Sequence, residues 1–298
     1  MECIANSQCT LGEAPLWLQQ SGTLCWLDIA KPTTLFQWDL KRRATRSWIL
    51  TELACGLAQS ERGEVLVVGQ GGLSVFDFTV GRLAPLVAAP FDMQGVRFND
   101  CGCDPLGRLW TGTMINDFCP PPHGSPVNPA AGRLLRIDPD LSCHITAEGI
   151  GCPNTFVWSP DAETLYTADS AAGCLYAYAY NAQAASLADR RVFTNPTGLG
   201  IPDGSAIDAE GYIWNARWDA GCVARFAPDG SLASIADIPA RRVTSCAFGG
   251  PALETLFVTT ARVGLSDAEL ATQPRAGGVF AFKPGVLGRP PSLFRRPG

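Results

Sequence analysis

The sequence predicts an all-β chain folded as a six-bladed β-propeller with four-stranded antiparallel blades, a single domain across residues 1–298. Three observations predict it: one strand phrase recurs six times, a second strand pattern follows each recurrence, and helical stretches are scarce. The phrase is a turn ending in Gly or Glu, then Leu, Val or Ile, then an aromatic or aliphatic residue, then small and polar residues. It runs Gly22–Asp28, Gly63–Gly69, Gly107–Thr113, Glu163–Asp169, Gly211–Arg217 and Glu254–Thr260, at intervals of 41, 44, 56, 48 and 43 residues. A four-stranded propeller blade repeats at ~40–45 residues. A two-sheet sandwich would account for the strands, but it has no reason to repeat at that period.

The second pattern is alternating apolar residues between Gly, Pro, Asn and Asp, the mark of a half-buried strand. It appears as Leu35–Asp39, Leu73–Asp77, Leu134–Asp138, Leu175–Tyr178, Val223–Phe226 and Gly278–Phe282. The segment from Cys3 to Gln8 is expected to supply an outer strand to the last blade. One short helix is expected over Asp267–Gln273, with Ser266 as its N-cap. The 56-residue interval marks an insertion in the third blade, Met114–Pro126, whose prolines cannot donate to a sheet ladder. It is expected to be a stiff loop walling the pocket.

Composition narrows the function classes. Hydrophobic residues make up 46% of the chain and charged residues 17%, and the 31 Gly and 23 Pro are spread evenly, as in a globular chain with many turns. A net charge of −5 leaves no basic stripe to neutralise a phosphate backbone, so nucleic acid is not an expected partner. The start carries an acid, Glu2, where a signal peptide needs basic residues, and no apolar run approaches a membrane span. The expectation is a soluble, cytoplasmic protein with no membrane partner. The 12 cysteines lie far apart, several inside strand patterns such as Leu24-Cys25-Trp26, and are read as reduced core thiols. Cys101 and Cys103 form no CxxC and have no clustered His, which argues against a sulfur-held metal.

The first strand of a propeller blade lines the central channel. Counting back eight to ten residues from each repeated turn gives Glu13, Ala54, Asn99, Asn154, Asp203 and Thr244. Four of these, Glu13, Asn99, Asn154 and Asp203, carry side-chain oxygens that bind cations. Two carboxylates and two amides converging on one point would repel and stay unsatisfied unless a cation or water joined them. The bland reading is that each merely caps a strand end or makes an Asx-turn. Oxygen donors favour Ca2+, Mg2+ or Mn2+, whereas Zn2+ or Fe2+ more often recruits imidazole, and the chain has only two histidines, His123 and His144. So few histidines also argue against a Ser-His-Asp hydrolase, and no glycine pattern matches a phosphate loop.

Several segments together resemble the SMP-30/gluconolactonase family, the regucalcin-like proteins, over essentially the whole chain. They are Leu11–Pro15, Arg97–Asp100 with Asp104–Arg108, Asn154 with Trp158–Asp161, and Pro202–Gly204. The closing run Thr259–Arg262, Gly264–Asp267 and Gly277–Phe280 is similar to bacterial aldonolactonases. The resemblance implies one divalent metal ion (Ca2+, Mg2+, Mn2+, Zn2+ or Fe2+) held by Glu13, Asn154 and Asp203, with substrate contacts from Arg97 and Asn99. It also implies an acidic or polar substrate contact after Gly112-Thr113-Met114, at Asn116 or Asp117. The expected activity is hydrolysis of a small-molecule sugar lactone, with Asp203 both ligand and general base. An esterase or organophosphate hydrolase on the same scaffold, and a calcium-binding propeller without enzymatic activity, are the alternatives.

Overall fold

The computed structural model describes residues 1–30, 32–116 and 132–296. Its strands form six four-stranded antiparallel sheets, the blades of a six-bladed β-propeller. Blade one is Gly12–Leu18, Thr23–Asp28, Thr34–Asp39 and Ala44–Ile49; blade two is Ala54–Gln59, Val65–Gly69, Gly72–Asp77 and Arg82–Ala88. Blade three is Val96–Cys103, Leu109–Ile115, Gly132–Ile137 and Cys143–Ile150; blade four is Pro153–Trp158, Thr164–Asp169, Cys174–Asn181 and Ser186–Thr194. Blade five is Ile201–Ile207, Ile213–Trp218, Cys222–Phe226 and Leu232–Asp237. Blade six joins Arg242–Gly249, Thr255–Ala261 and Val279–Phe282 to Glu2–Ala5 from the start of the chain. The N-terminal segment therefore does add the outer strand, as Glu2–Ala5, which starts one residue ahead of the expected Cys3–Gln8 and ends before Gln8. All six repeated phrases are second strands, and the alternating patterns are third strands.

The chain divides into two compact units, Met1–Ile49 with Pro196–Pro290 (blades one, five and six) and Leu50–Asn195 with Pro291–Gly298 (blades two, three and four). In the first unit the first strand of blade six packs against those of blades five and one; in the second, the first strand of blade three packs against those of blades two and four. Aromatic residues of the repeated phrase fill the space between neighbouring blades. In the second unit Trp110, Trp158 and Tyr180 meet edge to face, with ring centroids 5.9 to 6.1 Å apart. In the first unit Trp17 stacks on Phe257 and Trp38 meets the same ring edge-on. Aromatic pairs in such geometries add ~0.5–1.5 kcal/mol beyond the area they bury.

The helix forms as Asp267–Thr272, with Ser266 and Glu269 in a reciprocal capping box. The eleven described cysteines are all free thiols, and burial pushes Cys9 and Cys25 up to about 12, as expected of inert core thiols. No helix among the described residues is long and apolar enough to cross a membrane. The insertion lies largely outside the described residues, as does Asp117.

Candidate active site

The six residues reached by counting back all lie on first strands, and each sits at an irregularity in the pairing with the second strand. The register slips between Glu13 and Leu16, Ala54 and Gly56, Phe98 and Cys101, Asn154 and Val157, Pro202 and Ser205, and Val243 and Ser245. Each slip gives the first strand one extra residue, a β-bulge. Bulges re-aim side chains and gather beside functional sites. Two are locked by backbone that L-residues rarely adopt: Ala14 has φ +53° and Thr155 has φ +61°. For β-branched Thr155 that conformation is strained by ~1–3 kcal/mol and persists only if its surroundings impose it.

In the second unit the imposing group is Asp100. Its carboxylate accepts from the Cys101 amide at 2.8 Å and, across to the next blade, from the Thr155 amide at 2.8 Å. Burial raises the Asp100 carboxyl to about 6, opposed by these two hydrogen bonds. Beside it runs a directional chain of side chains. Arg97, only 3% exposed, donates to Asn99 Oδ1 at 2.6 Å; Asn99 Nδ2 donates to Asn154 Oδ1 at 2.9 Å and to the Pro153 carbonyl at 2.9 Å; Asn154 Nδ2 donates to Ser170 Oγ at 2.8 Å. The chain orients both amides, so that Asn154 presents its oxygen on the side of Asn99. Asn116 is buried just past the second strand of blade three, its amide bonded to the Gly95 carbonyl at 2.9 Å.

In the first unit Asp203 is buried within the bulge of blade five, and Glu13 is half-buried at that of blade one. Asn215 Nδ2 holds the Asp203 carbonyl at 2.8 Å and Ser205 Oγ at 2.9 Å, spanning the bulge. Gly204 is obligatory there, because a Cβ would lie 2.1 Å from Ser245 Oγ and 3.0 Å from the Ser245 backbone. Thr244, the counted residue of blade six, donates to the Gly12 carbonyl at 2.5 Å, immediately before Glu13. Arg217 lies wholly buried beside this network, and burial lowers its pKa to about 10 against the opposing charge of Asp203. It remains a cation at neutral pH.

Residues 11–262 match the model of the SMP-30/gluconolactonase/LRE-like region. The chain belongs to this family. Pentonolactonase XacC of Haloferax volcanii is 33% identical over 96% of this chain and 95% of its own. The 6-deoxy-6-sulfogluconolactonase of Pseudomonas putida is 32% identical over 99% of this chain and 98% of its own. A solved calcium-binding protein, regucalcin, from Agrobacterium tumefaciens superposes with a TM-score of 0.89 at 30% identity, over 98% of this chain and 96% of that one. Among the described residues no three His, Cys, Asp or Glu side chains cluster as a metal site would. Taken one bulge at a time, each offers an oxygen of the kind a hard cation takes: a buried carboxylate on Asp203, a half-buried one on Glu13, and an amide oxygen on Asn154 oriented by Asn99 and Ser170.

The residues that sequence reasoning missed are those behind the site: Asp100, Ser170, Asn215 and Arg217. A signal existed for Arg217, which ends a repeated phrase as a charged residue where three other phrases end in Gly or Thr.

Proposed function

We propose that this protein is a metal-dependent hydrolase of sugar lactones, opening aldonolactones such as glucono-, xylono-, arabino- or galactonolactone to their sugar acids. Glu13, Asn154 and Asp203 hold the divalent cation; Arg97 and Asn99 contact substrate, with Asn116 or Asp117 adding a further contact to its hydroxyls. A cation bound there supplies Lewis-acid polarisation of the lactone carbonyl and acidifies a water. Asp203 takes the proton of the attacking water through one carboxylate oxygen. Arg97 orients the lactone oxygens by charge-assisted donation, while Asn99 ties that cation to Asn154 so that substrate and ligand groups move as one.

The observation that carries the reading is the Arg97–Asn99–Asn154 hydrogen-bond chain, which couples a buried cationic donor to a hard-cation oxygen donor. Family membership and the lactonase names of two relatives support the substrate class. The decisive assay follows acid release by pH-stat over a panel of aldonolactones, with and without chelator. Release that stops on chelation and returns with a divalent ion is expected. A protein that binds Ca2+ yet leaves lactone lifetimes unchanged would be a binding propeller, and preference for aryl or phosphate esters would move the reaction class.

A further inference from the structure

Each repeated phrase ends at the second-strand position that pairs with the first strand just before its bulge. The six terminal residues are Asp28, Gly69, Thr113, Asp169, Arg217 and Thr260. Charge occurs only in blades one, four and five, the three that carry Glu13, Asn154 and Asp203. There the charged residue pairs with the one preceding the ligand: Asp28 with Gly12, Asp169 with Pro153, Arg217 with Pro202.

All three side chains do the same thing. Asp28 accepts from the Thr10 and Leu11 amides, both at 2.9 Å. Asp169, itself buried, accepts from Gly151 at 3.1 Å and Cys152 at 3.0 Å. Arg217 inverts the polarity, donating Nε to the Leu199 carbonyl at 2.6 Å and Nη2 to the Gly200 carbonyl at 2.9 Å. Its Nη1 donates to Asn215 Oδ1 at 2.9 Å, and Asn215 holds the Asp203 carbonyl. In each case a two-pronged charged group grips two consecutive peptide groups two to four residues ahead of the ligand. The uncharged positions do otherwise: Thr260 Oγ1 donates to the Gly278 carbonyl just ahead of the third strand of its blade, and Thr113 Oγ1 accepts from the Arg133 amide.

We infer that Asp28, Asp169 and Arg217 are positioning residues that aim the three ligand-bearing bulges. The inference rests on the reading that Glu13, Asn154 and Asp203 serve one cation. A hard-cation site tolerates little displacement of its donors, and groups that orient ligands typically govern metal affinity by 10–100-fold. Charge suits the task because both prongs must be held at once. An Asn in place of Asp turns an NH2 toward one of the two amides, and a Lys in place of Arg loses the fork.

The test compares Asp28→Asn, Asp169→Asn and Arg217→Lys with Thr260→Val, a control at the same repeat position in a blade without a ligand. Titration calorimetry with Ca2+ alone and with Mn2+ alone gives the affinity, and thermal unfolding in chelator reports the fold. The three charged-position variants are expected to lose 10–100-fold in affinity for whichever ion the parent binds more tightly. Thr260→Val should unfold at lower temperature but keep affinity within about twofold. Half-exposed Asp28 keeps the test open should a buried variant fail to fold. Parental affinity in folded Asp28→Asn and its companions, or an equal loss in Thr260→Val, overturns the positioning role while leaving the site reading intact. A parent that binds neither ion overturns both.

Discussion

The two ends of the first strands use the same residue types for opposite purposes. At the turn end, Asp104 and Asp208 are wholly buried and do identical work in different blades. Asp104 Oδ2 accepts from Trp110 Nε1 at 3.0 Å, Tyr180 OH at 2.6 Å and Arg108 Nε, while Oδ1 accepts from the Leu106 and Arg108 amides. Asp208 Oδ2 accepts from Trp214 Nε1 at 2.9 Å and Arg225 Nε at 2.8 Å, while Oδ1 accepts from the Glu210 and Tyr212 amides. These carboxylates face inward to tryptophan and arginine. At the bulged end, the counted positions differ in every blade but two, as Glu13, Ala54, Asn99, Asn154, Asp203 and Thr244. In blades three and five the turn end thus carries one carboxylate in one set of contacts, while the bulged ends of the same two blades carry Asn99 and Asp203.

The sharpest way to break that contrast is to remove one carboxylate from each end. Asp203→Asn should lower kcat on lactones by roughly 10²–10⁴-fold, the usual cost of a missing general base, while some metal is retained because an amide is still a hard-cation donor. Bound metal, kcat and unfolding temperature measured on one sample decide it. Near-parental kcat in the metal-saturated variant would leave Asp203 a ligand only.

The converse substitution, Asp104→Ala, leaves Arg108 without its buried carboxylate and Trp110 and Tyr180 without their acceptor. Breaking a buried pair costs about 3–5 kcal/mol. Urea unfolding should show that loss, with kcat per folded molecule unchanged. A variant of parental stability but low kcat would mean that the two ends are not separate in function.

How far each end could be read from sequence follows from its physics. The strands were legible because the second strands are buried along nearly their whole length, which writes itself into the sequence as a short apolar run between turn residues: Leu24, Trp26, Leu109 and Leu165 are fully buried. The counted residues landed on the first strands for the same reason. The bulges themselves were not legible, since Ala14 and Thr155 take left-handed backbone without the glycine that usually signals it. Nor was the shared role of Asp28, Asp169 and Arg217, because a carboxylate gripping amides and a guanidinium gripping carbonyls look unrelated until the backbone is seen. Between Asn116 and Asp117, which the resemblance left open, only Asn116 lies among the described residues.

The smallest expected effect concerns a third set of carboxylates, on the exposed hairpins that join third and fourth strands. Asp39 accepts from the Lys41 and Arg42 amides, Asp77 from Thr79 and Val80, and Asp229 from Ser231. Hydrogen bonds hold these carboxyls below their ordinary range, led by the Arg42 amide for Asp39, the Thr79 amide for Asp77 and the Ser231 side chain for Asp229. A carboxyl depressed in the fold binds fewer protons there than in the unfolded chain. Its contribution to stability is therefore present above the unfolded pKa of about 3.9 and is lost as pH falls through the lower folded value. Asp77→Asn keeps a turn-forming acceptor but cannot titrate. Between pH 7 and pH 5 its unfolding temperature should run parallel to the parent's, and below pH 4 the parent should fall more steeply. Parallel curves down to pH 3 would show that the Asp77 turn gains nothing from charge, and would leave its carboxylate with geometry as its only contribution.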